Sequence, residues 1–176
     1  MRGLVMGRFQ PFHLGHMALV TQAMAECDDI IIAVTSTQYN YLEKDPFTAG
    51  ERIEMIRNAL NESGIDPGRY MILGLENQHN VATWPAYIRA ALPPFQRIYS
   101  GNPYVAMLLR DYGTEVAEPD MVDRERFNAS VLRRMMADGG DWRERVPPAV
   151  ARFVESVGGE ERVRTILGSD TDPTRH

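Results

Sequence analysis

The run Asp29-Ile30-Ile31-Ile32-Ala33-Val34-Thr35 carries no polar residue between its ends, so a strand made from it must be covered on both faces. Parallel sheets with helices on either side meet that demand, and the neighbouring sequence is patterned to supply them. Leu4-Val5-Met6, Tyr70–Leu73, Arg97-Ile98-Tyr99 and Glu115-Val116-Ala117 read as further strands. Helical patterns fall between them. Leu14 to Glu26 sets Met17, Val20 and Met24 on one face, and Ala49, Ile53, Ile56 and Leu60 recur at helical spacing. Thr48-Ala49-Gly50-Glu51 fits a capping box ahead of that second helix, and Gly64 fits its stop. Trp84 to Leu92 reads as a helix halted by Pro93-Pro94, and Pro103–Tyr112 as another. From Ala129 the pattern stays helical, with breaks at Gly139-Gly140, Pro147-Pro148 and Gly158-Gly159. The alternation predicts an α/β fold, a doubly wound parallel sheet of about five strands with right-handed crossovers and a helical C-terminal segment.

A chain of 176 residues suits one full-sized domain, and no repeat or linker marks a second. Residues 1–167 are expected to form it, and the polar stretch 168–176, without periodicity, to fray. A net charge of −5 argues against a nucleic-acid partner, so any phosphate site must concentrate its cations locally. Cys27 is the sole cysteine, which excludes a disulfide framework and a thiolate metal cluster. No stretch reaches the roughly twenty apolar residues that span a bilayer, and the N-terminus lacks a signal-peptide shape; a cytoplasmic location is expected.

Chemistry concentrates in Gly7-Arg8-Phe9-Gln10-Pro11-Phe12-His13-Leu14-Gly15-His16, the loop leaving the first strand. Open parallel sheets bind ligands outside the carboxyl ends of their strands, and a helix N-terminus offers unpaired N–H groups to phosphate. His13 and His16 share one face once Leu14 starts a helix. A metal pair would need further ligands; His79 and His176 are the other histidines, so no protein-held metal site is expected.

In this strand–loop–helix setting, His13-Leu14-Gly15-His16 resembles the HxGH signature of the nucleotidylyltransferase superfamily. The opening from Met1 to His13 looks like that of the archaeal-type nicotinamide-mononucleotide adenylyltransferases. So do Asp45-Pro46-Phe47-Thr48-Ala49-Gly50-Glu51-Arg52 and Pro93-Pro94-Phe95 with Tyr99-Ser100-Gly101-Asn102-Pro103. A last block is Arg133-Arg134-Met135 with Gly140-Asp141-Trp142 and Val146-Pro147. These blocks run in order to about residue 167. The resemblance implies a Rossmann-like sheet and adenylyl transfer from ATP, with Mg²⁺, to nicotinamide mononucleotide, giving NAD and pyrophosphate. It also implies a homo-oligomer, a hexamer among relatives. By resemblance His13, His16 and Arg133 are catalytic, His16 nearest the α-phosphate. Gly7, Arg8, Phe9, Lys44, Gly101, Asn102, Phe127 and Ser130 would contact ATP, while Trp84 stacks on the nicotinamide and Asn80 binds its carboxamide.

Several of these residues also have a plainer reading. Arg8 is either a phosphate ligand or one half of an ion pair with a sheet-edge carboxylate. Ser130 either caps its helix or binds phosphate. Gly101-Asn102 is an adenine pocket or merely the turn into the next helix, with Pro103 at its first position. Trp84 is a stacking face or a core anchor, and Arg134 reads as a solvated helix face. Relatives place the carboxamide-binding Asn three residues before the tryptophan, whereas Asn80 is four before it. Lys44 stands where many relatives have arginine. Such departures leave room for another phosphate acceptor (nicotinate mononucleotide, FMN or phosphopantetheine), or for a non-catalytic nucleotide-binding regulator.

Overall fold

A computed structural model describes residues 1–117, 119, 120, 123, 125–171 and 173 of the chain. Strand β2 (Asp29–Val34) lies between β1 (Arg2–Gly7) and β3 (Tyr70–Gly74), and Ile30 through Val34 have no exposure at all. On its other edge β1 pairs with β4 (Arg97–Tyr99), which pairs with β5 (Glu115–Ala117). All pairings are parallel, in the order β3-β2-β1-β4-β5.

The period-two alternation of each strand feeds two separate cores. Val5, Ile30, Ile32 and Val34 pack with Val20 and Ala23 of α1 (Leu14–Glu26) and Ile56 and Leu60 of α2 (Ala49–Glu62). The same core takes Leu132 and Met136 of α5 (Ala129–Asp138), Val150 and Val154 of α6 (Pro148–Ser156) and Val163 of α7 (Gly159–Leu167). Leu4, Ile31, Ala33 and Ile98 face the opposite way, onto Ile88 of α3 (Trp84–Ala91) and Leu109 of α4 (Pro103–Asp111). The expected doubly wound sheet is therefore present, and all five strands fall where the sequence placed them.

The punctuation reads as expected. Thr48 and Glu51 form the capping box of α2, and Gly64 follows its end at φ +70. Gly139 and Gly158 adopt positive φ between the C-terminal helices, and Pro148 opens α6. Leu92 and Tyr112, read as helical, are cap residues instead. Of the stretch expected to fray, residues 172 and 174–176 lie outside the described residues. Among the described residues no helix is long and apolar enough to cross a membrane.

Strand order reverses between β1 and β4, and an open α/β sheet forms its ligand crevice at such a point. A cleft of about 900 Å³ opens there, lined by residues that follow the carboxyl ends of the strands.

Candidate active site

The cleft is built around the β1–α1 turn. After Gly7 the chain bends at Phe9, whose φ is +54 and whose ring folds back so closely that a Cβ on Gly7 would lie 2.8 Å from it. Only glycine tolerates that approach. Phe9 is 1% exposed, and its ring sets its edge against His16 at 4.8 Å. Expected among the ATP contacts, it lines the cleft but serves mainly as backing for an imidazole.

The two histidines close the first turn of α1 on each other. His13 is the N-cap and its Nδ1 accepts from the His16 N–H at 3.3 Å. His16, at the third helical position, returns the bond: its Nδ1 accepts from the His13 N–H at 3.2 Å. This is a capping box written in imidazoles, with the rings stacked at 3.5 Å. Because both Nδ1 atoms accept, both ring protons sit on Nε2, which leaves two N–H donors for the cleft that both residues line. Burial pulls His13 down to about 4, and burial together with the His13 ring pulls His16 well below the ordinary histidine value. The pair is thus neutral at pH 7.

A pH dependence of stability follows. The folded-state pKa of His13 lies below its unfolded value, so the contribution is complete above about 6.5 and is lost as pH falls toward 4. It amounts to about 3 kcal/mol for His13 alone. Thermal melting followed between pH 7.5 and 4 should show Tm falling most steeply below pH 6.5. A flat profile would contradict the imidazole cap.

Arg133 reaches the same space from α5. It is 5% exposed, donating from Nη1 to the Gln10 carbonyl at 3.0 Å and from Nη2 to Ser130 Oγ at 3.2 Å. Burial, reinforced by the Arg8 charge, lowers it to about 10, so it stays cationic at neutral pH. The capping reading of Ser130 is corrected: Asn128 is the N-cap, its Oδ1 accepting from the Ser130 N–H at 2.8 Å, and the Ser130 hydroxyl supports Arg133. Asn128 takes the cap because it is the residue just before the helix, from which a short side chain reaches the free N–H groups of the first turn. Arg134 is exposed, as its solvated-face reading expects.

Arg8 has a loose ion pair, Nη1 to Asp45 Oδ2 at 3.6 Å, and keeps 45% of its side chain exposed toward the cleft. The carboxylate comes from the loop before α2 rather than from a sheet edge. Gly101 and Asn102 line the cleft beyond β4, where Asn102 also caps α4, its Oδ1 accepting from the Tyr104 N–H at 3.0 Å. Both readings of that turn are therefore compatible. Phe127 lines the cleft and packs so closely that a Cβ on Gly15 would lie 2.9 Å from its own. Trp84 is half-buried, packed against the second core while lining the cleft.

Two expected residues are not brought to the cleft. Lys44 sits exposed on the loop before α2 and does not line it, because that loop instead turns Asp45 inward to Arg8. Asn80 is exposed, folded into a local turn with its Oδ1 accepting from the Ala82 N–H at 3.0 Å. Of the amides in the stretch from Asn77 to Asn80, Asn77 and Gln78 line the cleft, and the position three before Trp84 is Val81.

The scaffold that holds these loops escaped sequence reasoning. Gln10, 1% exposed, grips Phe47 from both sides, Nε2 donating to its carbonyl and Oε1 accepting from its N–H, each at 2.9 Å. Gln38 grips Asn77 in the same way, at 3.1 and 2.9 Å. Arg52, with no exposure, donates to the carbonyls of Arg8, Thr35, Ser36 and Thr48. Among the described residues no group of three or more His, Cys, Asp or Glu side chains is placed to hold a metal ion.

A parallel sheet with guanidinium and imidazole donors at its reversal point defines a nucleotide-binding α/β protein. The sequence pattern of the cytidylyltransferase-like family matches residues 4–134. The chain belongs to that family and, within it, to the nicotinamide-nucleotide adenylyltransferases. It is 46% identical over 175 residues to the nicotinamide-nucleotide adenylyltransferase of Caldivirga maquilingensis, covering 99% of this chain and 98% of the relative. To that of Pyrobaculum neutrophilum it is 42% identical, with the same coverage of both chains. Among solved structures, a bifunctional NMN adenylyltransferase/ADP ribose pyrophosphatase of Francisella tularensis, complexed with AMP and a Mn ion, superposes with a TM-score of 0.75 at 20% identity. That match covers 98% of this chain and 57% of the longer one, and it speaks for the fold.

Proposed function

We propose that this chain transfers the adenylyl group of ATP to nicotinamide mononucleotide, forming NAD and releasing pyrophosphate. The observation that carries the reading is the layout of the cleft. Arg8, His13, His16 and Arg133 line it from the β1–α1 turn and α5, Gly101 and Asn102 follow β4 on one side, and Trp84 follows β3 on the other. That layout suits a triphosphate between a base and a second, aromatic ring.

The chemistry asks little else of the residues. The attacking phosphate is already anionic, its second pKa being about 6, so no general base is needed. Its oxygen forms a bond to the α-phosphorus as the bond to the pyrophosphate oxygen breaks in line. The site must align the partners and stabilise charge on the phosphoryl oxygens. The Nε2–H groups of His13 and His16 donate there, with His16 at the α-phosphate, while Arg133 and Arg8 receive the departing pyrophosphate. A neutral imidazole whose Nδ1 is occupied donates without offering a competing base. The donor set fits a divalent cation carried mainly by the triphosphate and water, and Mg²⁺ would supply charge neutralisation on the leaving group. We place this activity in the cytoplasm, in a domain of residues 1–167, and in a homo-oligomer, the hexamer that the resemblance implies.

Pyrophosphate release should be followed with ATP and each pyridine mononucleotide in turn. Nicotinamide mononucleotide should give NAD, and Trp84→Ala should raise its KM about tenfold while sparing that of ATP. A KM rise shared equally by both substrates would refute the stacking role. If neither mononucleotide reacts, the acceptor is a different phosphate and the reading fails.

A further inference from the structure

The cleft is electrically asymmetric, and its asymmetry bears on the acceptor. Among the described residues its cationic side chains, Arg8 and Arg133, and the two imidazoles belong to the β1–α1 turn and α5. The wall that follows β3 is lined by Glu76, Asn77, Gln78, Val81 and Trp84, with no lysine, arginine or histidine among them. Asp120, the other acidic lining residue among the described residues, lies beyond β5 at the opposite edge of the sheet, its N–H bonded to Gln22 of α1.

Glu76 is held firmly although its side chain is exposed. Its own N–H donates to the Tyr87 hydroxyl at 3.2 Å, and Tyr87 rides on α3, the helix that Trp84 begins. The preceding Leu75 N–H is bonded to the Val34 carbonyl at 2.8 Å, and the following Asn77 is gripped by Gln38. Glu76 and Trp84 therefore belong to one braced unit. Among the described residues the Glu76 carboxylate has no hydrogen-bond or ion-pair partner, so its charge is left uncompensated on the wall it shares with Trp84.

We propose that Glu76 is a specificity determinant that selects a nicotinamide over a nicotinate acceptor, a proposal that rests on the adenylyl-transfer reading above. Both mononucleotides carry a cationic pyridinium, which the carboxylate attracts equally. They differ in the ring substituent. A neutral carboxamide can hydrogen-bond to Glu76 or the neighbouring amides. A second carboxylate is repelled by Glu76 and meets no cation on that wall to receive it. Partial solvent access weakens the repulsion without abolishing it, and about a five- to tenfold preference is expected from this charge.

The test compares kcat/KM for nicotinamide and nicotinate mononucleotide in the wild type, Glu76→Gln and Glu76→Lys. The wild type should prefer nicotinamide. Glu76→Gln should shrink the ratio about five- to tenfold, mainly through KM for the nicotinate form, and Glu76→Lys should shrink it further. KM for ATP should stay within about twofold of wild type in both variants. An active wild type whose ratio is unaltered by either substitution, or that prefers nicotinate, overturns the role of Glu76 alone. A wild type that joins neither mononucleotide to ATP overturns the adenylyl-transfer reading, and this proposal with it.

Discussion

His16→Ala is expected to lower kcat by about 10²- to 10³-fold while moving KM for the mononucleotide by no more than about threefold. The asymmetry arises because a donor aimed at the α-phosphate gains strength as charge builds on the phosphoryl oxygens, and little of that gain exists in the ground state. The structure also gives His16 a second task. Its Nδ1 completes the reciprocal cap with His13, so the alanine variant loses helix stability along with its donor. His16→Gln separates the two. Glutamine is a favoured residue at this third helical position, where it can reach back to the cap N–H. The glutamine variant should recover most of the lost Tm and little of the lost kcat. Recovery of both would show that the reaction needs no imidazole at this position, only the cap and an N–H donor.

The largest stability effect is expected at Arg52. Its guanidinium is fully buried and spends its donors on four backbone carbonyls, joining the β1 loop, the β2 loop and the start of α2. Arg52→Met keeps an unbranched apolar stem and removes every donor, leaving several buried carbonyls without partners. A loss of about 3–5 kcal/mol follows, or a fall in Tm on the order of 10 °C for a chain of this size. Arg52→Lys keeps the charge but cannot fork to several carbonyls, so it should fall between the two. Differential scanning calorimetry would read all three proteins. A methionine variant melting within a degree or so of wild type would mean that the loops are held by other means.

These two residues mark what the sequence could and could not disclose. Ile30 to Val34 announced a strand covered on both sides, and Thr48 with Glu51 announced a helix start, because strand burial and helix capping are local in sequence. The imidazoles were legible as a pair sharing one face for the same reason, lying three apart at a strand–helix turn. Their mutual cap was not, since histidine is an uncommon capping residue and gives no compositional hint. Gln10, Gln38 and Arg52 stayed hidden because their partners are backbone groups of segments far along the chain, where side-chain identity leaves no trace. The resemblance put Asn80 and Lys44 in the site, and the local turns around them keep both out of the cleft. Asn77 and Gln78, within the same amide-rich loop, face the cleft instead.

The two glutamine grips have a consequence for how such a cleft can change. Gln38 holds residue 77, and Gln10 holds residue 47, by main-chain atoms alone. The side chain at position 77 is then a free variable: it can be exchanged without loosening the loop that presents it. Fastening and lining are assigned to different atoms, so this wall of the cleft can be rewritten one letter at a time while its frame stays in place.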